Sequence, residues 1–156
     1  MPHRGRPFDR VDWTRVRIYD GGARGSRQVV RRAVLLLSGD RAVALGNAVF
    51  LPDRSCGDVA VLAHELTHCA QYQAWGAGRY FLRGAAAQAR DLLYRTLGIG
   101  GSPYTYSLDT KKPLHAYGME QQAQIVEDQV RRAVLRCAPA PPTAPTHSHR
   151  DRQSSP

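Results

Sequence analysis

Two histidines four residues apart, His64 and His68, bracket Glu65 in the segment HELTH. On a helix, residues four apart stand one above the other, so both imidazoles can face a single ion. Glu65 is turned about 100° from His64 and can reach a water on that ion without ligating it. A divalent cation held this way acidifies its water and polarises a carbonyl, while a neighbouring carboxylate takes the proton. The spacing therefore predicts one zinc ion per chain, with Glu65 as general base in the hydrolysis of a peptide bond. The bland alternative is a pair of satisfied surface histidines. Against it, VLAHELTHCA carries no charge except Glu65 and the histidines. A helix buried on several sides needs such a sequence, because an unpaired charge there is costly to desolvate.

Catalytic zinc usually has three protein ligands, so a third must come from elsewhere in the chain. The candidates are Glu120, His115, Asp109, Glu127 and Asp128. Glu120 is favoured because the helix expected after Gly118 buries its Met119/Ala123/Val126 face and carries Glu120, Gln124 and Glu127 on the adjacent stripe. The competing reading of Glu120 is an ordinary acid in a helix's first turn. A hydrolase also needs a donor for the developing oxyanion. Tyr117 is the first choice, with His115, Tyr106 and Tyr104 as alternatives. Gln71 and Gln73 are read as makers of structural hydrogen bonds, and Trp75 as a packing anchor.

VLAHELTHCAQYQ followed by YGMEQQAQIVED resembles the zincin-type domain of unknown function found with bacterial extracellular contractile injection systems, and short bacterial proteins labelled Vgr-related. The resemblance runs from about Val16 to about Val130 and is most specific at HELTHCAQYQ and EQQA. It implies a small zincin-like, gluzincin-type metallopeptidase domain and injection-system components as possible partners. In the broader gluzincin class the third ligand is the glutamate of a Glu-x-x-x-Asp pattern, a role that falls on Glu120. The second acid of that pattern, which would orient a zinc-bound histidine, is Gln124 here. An amide can accept from an imidazole N–H but raises ligand basicity less than a carboxylate does.

These side chains need a scaffold. With 156 residues and 42% hydrophobic content, one core is affordable and two are not. The expected fold class is α+β: a short strand and a β-hairpin packed against the HELTH helix and a C-terminal ligand-bearing helix. VRIYD alternates as a strand, ended by Gly21 and Gly22. Residues 26–37 form an amphipathic helix with Val30, Ala33, Val34 and Leu37 on its face and Arg27 and Arg31 pointing elsewhere. Residues 41–51 make a hairpin around Gly46-Asn47, stopped by Pro52. Ser55 and Asp58 read as a capping box for the HELTH helix, whose apolar face is Val59, Leu62, Ala63, Leu66 and Ala70. That helix ends near Trp75 at Gly76 and Gly78. A second helix spans residues 83–97, a loop with a possible strand at 104–107 follows, and a last helix carries Met119, Ala123, Val126, Val130, Ala133 and Cys137 as one stripe. Residues 1–13 form a basic lead, 14–137 the metal-binding domain and 138–156 a Pro-rich disordered tail. His147 and His149 in that tail could bind metal only weakly.

The net charge of +9 is concentrated at the amino end, where residues 1–32 hold nine arginines against three aspartates. This is read as solvated surface rather than a nucleic-acid site, since no aromatic platform or nucleic-acid motif interrupts it. Three cysteines make neither a disulfide framework nor a CxxC pair, which points to a reducing compartment, with Cys69 and Cys137 as buried small hydrophobes. No secretory signal or membrane span is expected. The protein should start in the cytoplasm, with export by a signal-independent route left open. Three functions compete: a zinc endopeptidase acting on a peptide or protein substrate, a non-catalytic zincin-like accessory or cargo module with structural zinc, and a basic nucleic-acid binder.

Overall fold

A computed structural model describes residues 11–109 and 111–137. The tail expected at 138–156, with His147 and His149, and all of the lead except residues 11–13 lie outside the described residues. The fold is α+β, with four helices and a three-stranded sheet among the described residues. Strand β1 (Arg17–Tyr19) runs parallel to β3 (Ala48–Phe50), which pairs antiparallel with β2 (Val43–Leu45) across the expected Gly46-Asn47 turn. Gly46 has φ +66°, a conformation in which L side chains are strained, and a Cβ there would also meet the Tyr72 ring at 3.3 Å. The sheet order β1-β3-β2 puts β3 in the middle, and Val49 at its centre is fully buried. Around Val49 gather Ala44, Leu51 and Cys69, with Val16, Val61, Leu62 and Leu66 packed against them. The core is thus the interface between the sheet and the helix α2 (Val59–Trp75).

Helix α2 is central. The sheet covers one side of it, and α3 (Ala77–Leu97) and α4 (Met119–Cys137) cover others. Its single expected apolar face is too simple: Val59 is half exposed, while Glu65, Thr67, His68 and Gln71 are buried alongside Cys69 and Ala70. The capping box does not form. Asp58 is itself the N-cap, its carboxylate accepting from the amides of Ala60 and Val61, and Ser55 sits in a preceding 3-10 turn. Gly76, at φ +75°, ends α2 and opens α3 without a loop between them. The second helix therefore starts six residues before the expected Arg83, and Gly78 lies inside its first turn rather than ending α2. Tyr80 then donates from α3 to the Ala44 carbonyl at 2.8 Å, docking that helix on β2.

Helix α1 (Ser26–Leu37) has the expected extent but not the expected face. It buries Arg31 and Leu35, and leaves Val30 and Leu37 exposed. Arg31 goes inside because its guanidinium has a task there: it donates twice to the Leu51 carbonyl, at 2.9 and 2.7 Å, and pairs with Asp53 at 2.6 Å. Its methylene stem packs while the head closes off the chain leaving β3. Residues 104–107 form loop, not strand. The stripe on α4 is buried at Ala123 and Val126 but has emerged by Ala133, and Cys137 is exposed rather than buried. Part of the expected amino-terminal lead is tied down, because Asp12 exchanges backbone hydrogen bonds with the Gln73 side chain. No described helix is long and apolar enough to cross a membrane.

Replacing Arg31 with Met keeps the stem and removes the head, leaving the Leu51 carbonyl without its guanidinium donors. Urea unfolding of Arg31→Met should show a loss of about 1–3 kcal/mol. An unchanged midpoint would mean that water replaces the guanidinium at no cost.

Candidate metal centre

Three side chains converge where α2 crosses the start of α4. His64 Nε2 and His68 Nε2 lie 3.8 and 3.4 Å from the same oxygen of Glu120, Oε2. One ligand atom from each residue falls within 4.8 Å of the other two. Both histidines come from one face of α2, as the four-residue spacing requires, and Glu120 comes from the first turn of α4. Of the other proposed third ligands, Glu127 meets the outer nitrogen of His64 and the rest lie elsewhere. His115 and Asp109 are exposed in the preceding loop, and Asp128 accepts from the Tyr106 hydroxyl and from Gln124.

The far nitrogen of each ring is held by a different device. Gln71 Nε2 donates to the Met119 carbonyl at 3.0 Å and to Gln122 Oε1 at 3.3 Å, so its oxygen is the end that faces His68 Nδ1, 2.9 Å away. Gln122 in turn donates to the Tyr117 carbonyl. His68 Nδ1 must then donate to that oxygen, which turns Nε2 toward Glu120. His64 Nδ1 meets Glu127 Oε2 at 3.0 Å. Glu127 is anchored by Arg131 at 2.8 Å, and Arg131 also reaches Asp58, the N-cap of α2, at 3.6 Å. The carboxylate missing at Gln124 is thus supplied by Glu127, one helical turn further along α4. Gln124 turns away and donates to Asp128 at 3.1 Å. A reading tied to the Glu-x-x-x-Asp pattern misses Glu127 as orienter. The signal that finds it is its place seven residues, about two turns, after Glu120 on the same face.

The electrostatics fit a cation. Burial opposes charge on Glu120, but the His64 and His68 rings overcome it and bring the carboxyl down to about 2. Burial likewise opposes a proton on His64, yet Glu120, Glu127 and Glu65 outweigh it and raise the ring to about 9. Glu127 is lowered to about 2, chiefly by His64. An ionised carboxylate therefore faces Nε2 of both rings, at 3.8 and 3.4 Å, inside a buried cluster. A divalent cation can stand where protons otherwise link these groups, and two imidazoles with a carboxylate are a donor set that zinc accepts. Glu65 is buried beside the pair. Its pKa is raised by burial, with His68 and His64 acting in the opposite direction.

A cavity of about 540 Å³ opens over this cluster. It is lined by His64, Glu65, His68 and Glu120, and also by β2, Phe81 and Gln88 of α3, and Tyr104. A second hollow of about 350 Å³ shares Met119 and Glu120 with the first. Tyr117, expected as an oxyanion donor, lines this second hollow, and its hydroxyl accepts from the Asp109 amide at 2.9 Å and lies near the Ser107 and Asp109 carbonyls. Tyr106 is committed to Asp128. Gln73 makes structural hydrogen bonds, to Asp12 and Asn47, and Trp75 lies under the Arg83 guanidinium.

Residues 6–76 match the family described as the eCIS core domain, which supports an association with extracellular contractile injection systems. The matched stretch holds the sheet, α1 and the two histidines of α2, and stops before Glu120. No curated protein and no solved structure matches the chain.

Two outcomes follow from the geometry. Glu127→Gln should weaken zinc binding by about 10- to 100-fold, measured by competition with a chromophoric chelator, because His64 loses its charged anchor. An unaltered affinity would mean that Glu127 does not orient the ring. Because His64 is protonated below about 9 without metal, zinc must displace that proton at neutral pH. Affinity should then fall by about tenfold for each pH unit below 9 from this group alone, with proton release visible by calorimetry in buffers of different ionisation heat. A pH-independent affinity between 7 and 9 would contradict a raised His64.

Proposed function

We propose that the chain is a zinc-dependent peptide hydrolase, with His64, His68 and Glu120 as metal ligands and Glu65 as general base. The observation that carries this reading is the cavity: Glu65, though buried, lines it together with the two rings and Glu120. A cavity of about 540 Å³ is also room enough for a stretch of peptide. A bound zinc ion would supply acidification of water and polarisation of the substrate carbonyl.

The rest falls to the chain's own residues. Glu65, whose pKa burial raises against the opposing pull of the neighbouring rings, takes the proton from the attacking water and returns it to the leaving amine. Glu127 and Gln71 keep both imidazole Nε2 atoms aimed inward. For the oxyanion, Tyr104 suits the task better than Tyr117. It lines the cavity that holds Glu65, and burial, with Glu120 and Asp91, raises its pKa so that it remains a donor. The Tyr117 hydroxyl, by contrast, is occupied in its own loop. The eCIS core match supports the narrower reading that the enzyme works beside injection-system components, as an effector or a local processing enzyme.

A second reading keeps the metal and drops the turnover. Glu120 and the two histidines join α2 to α4, the most extensively packed helix pair, so zinc could serve as a staple in an accessory or cargo module. Glu65→Gln separates the two. In a hydrolase it should reduce cleavage of a denatured protein substrate by at least about 10²-fold while zinc content stays at one per chain. Equal cleavage by both proteins, or none by the zinc-loaded wild type across broad peptide mixtures, would favour the staple.

A further inference from the structure

The second hollow carries a charge pattern that the hydrolytic cluster does not use. Arg83 and Arg90 reach it from α3 and His115 from the loop before α4, and its one lining carboxylate is Glu120, which is turned to the histidines. Arg83 is steadied over the Trp75 ring at 4.3 Å. The acid next to Arg90, Asp91, is buried and paired with Arg95 at 2.8 Å. Arg41 lines the larger cavity next door. The result is a basic hollow that shares Met119 and Glu120 with the cavity over the metal cluster, and among the described residues neither Arg83 nor Arg90 is in an ion pair.

Guanidinium groups in a concavity raise the local concentration of anions, and Arg binds carboxylates through two parallel N–H donors. We infer that this hollow receives a carboxylate of the bound peptide, so that the site takes acidic peptide segments. The carboxylate belongs either to an Asp or Glu side chain beside the cleaved bond or to the peptide's own C-terminus. The inference rests on the peptide-hydrolase reading for the meaning of the larger cavity, but its test is a binding measurement that needs no turnover.

The probes are short fluorescein-labelled peptides of one sequence, with Glu or with Gln at the variable positions, each as free acid and as C-terminal amide. Binding is read by anisotropy on zinc-loaded full-length protein carrying Glu65→Gln, so that the peptides survive. A carboxylate-bearing peptide should bind about tenfold more tightly than the Gln amide. A gain with Glu in both end forms assigns the hollow to a side chain, and a gain with the free acid alone assigns it to a chain end. Arg90→Glu should abolish the gain, whereas Arg32→Glu, the same charge change on the exposed side of α1, should leave it within about twofold. Equal affinity for all four peptides overturns the inference. So does an equal loss in the Arg32 variant, which would reduce the effect to overall charge. Displacement of the peptide by short single-stranded DNA that binds more tightly and depends on Arg90 would reassign the hollow to nucleic acid. If charge selection holds while wild-type protein leaves every peptide intact, only the hydrolase reading fails.

Discussion

A carboxylate buried between two imidazoles organises this molecule. Glu120 is only 7% exposed, and an ionised acid in that position is tolerable only if positive charge or hydrogen-bond donors stand beside it. His64 and His68 answer that need from α2, and they in turn require partners for their outer nitrogens. The solution is a network that runs through both helices: Gln71 and Gln122 at one end, Glu127, Arg131 and Asp58 at the other. Apolar packing of α2 on the sheet positions the histidines. The network then fixes how far α4 slides along α2, since a shift of one residue would rotate Glu120 out of line by about 100°.

This division explains what the sequence made legible. His64, Glu65 and His68 could be placed because helical period alone puts them together. Glu120 followed because it opens a periodic helix that had to find a hydrophobic neighbour. The hairpin is marked by Gly46, whose positive φ the turn requires and whose missing Cβ leaves room for the Tyr72 ring. Those features are local, or nearly so, and local rules suffice for them.

Two of the differences, at Arg31 and Glu127, come from distant partners. Arg31 reads as a solvent-facing residue until the Leu51 carbonyl, twenty positions away, is brought beside it. Nothing in a periodic pattern announces that a buried arginine will outrank Val30 and Leu37. The orienting role of Glu127 was hidden similarly, because a family pattern directs attention to position 124, whereas the histidine in question lies one turn nearer the start of α2. The start of α3 was misplaced for a different reason. Two glycines close together suggest a loop, and only the φ of each one tells which breaks the helix and which rides inside it.

Helices α2 and α3 meet at a lone glycine, and that has a consequence for how such a domain can diversify. With no intervening loop to lengthen or shorten, the angle between the two helices that line the cavity is set by one pair of torsions. The aperture must then be tuned by swapping what α3 presents inward, at Phe81, Ala85 and Gln88. Selectivity would be edited residue by residue along a rigid rod, while the angle between the two helices stays fixed.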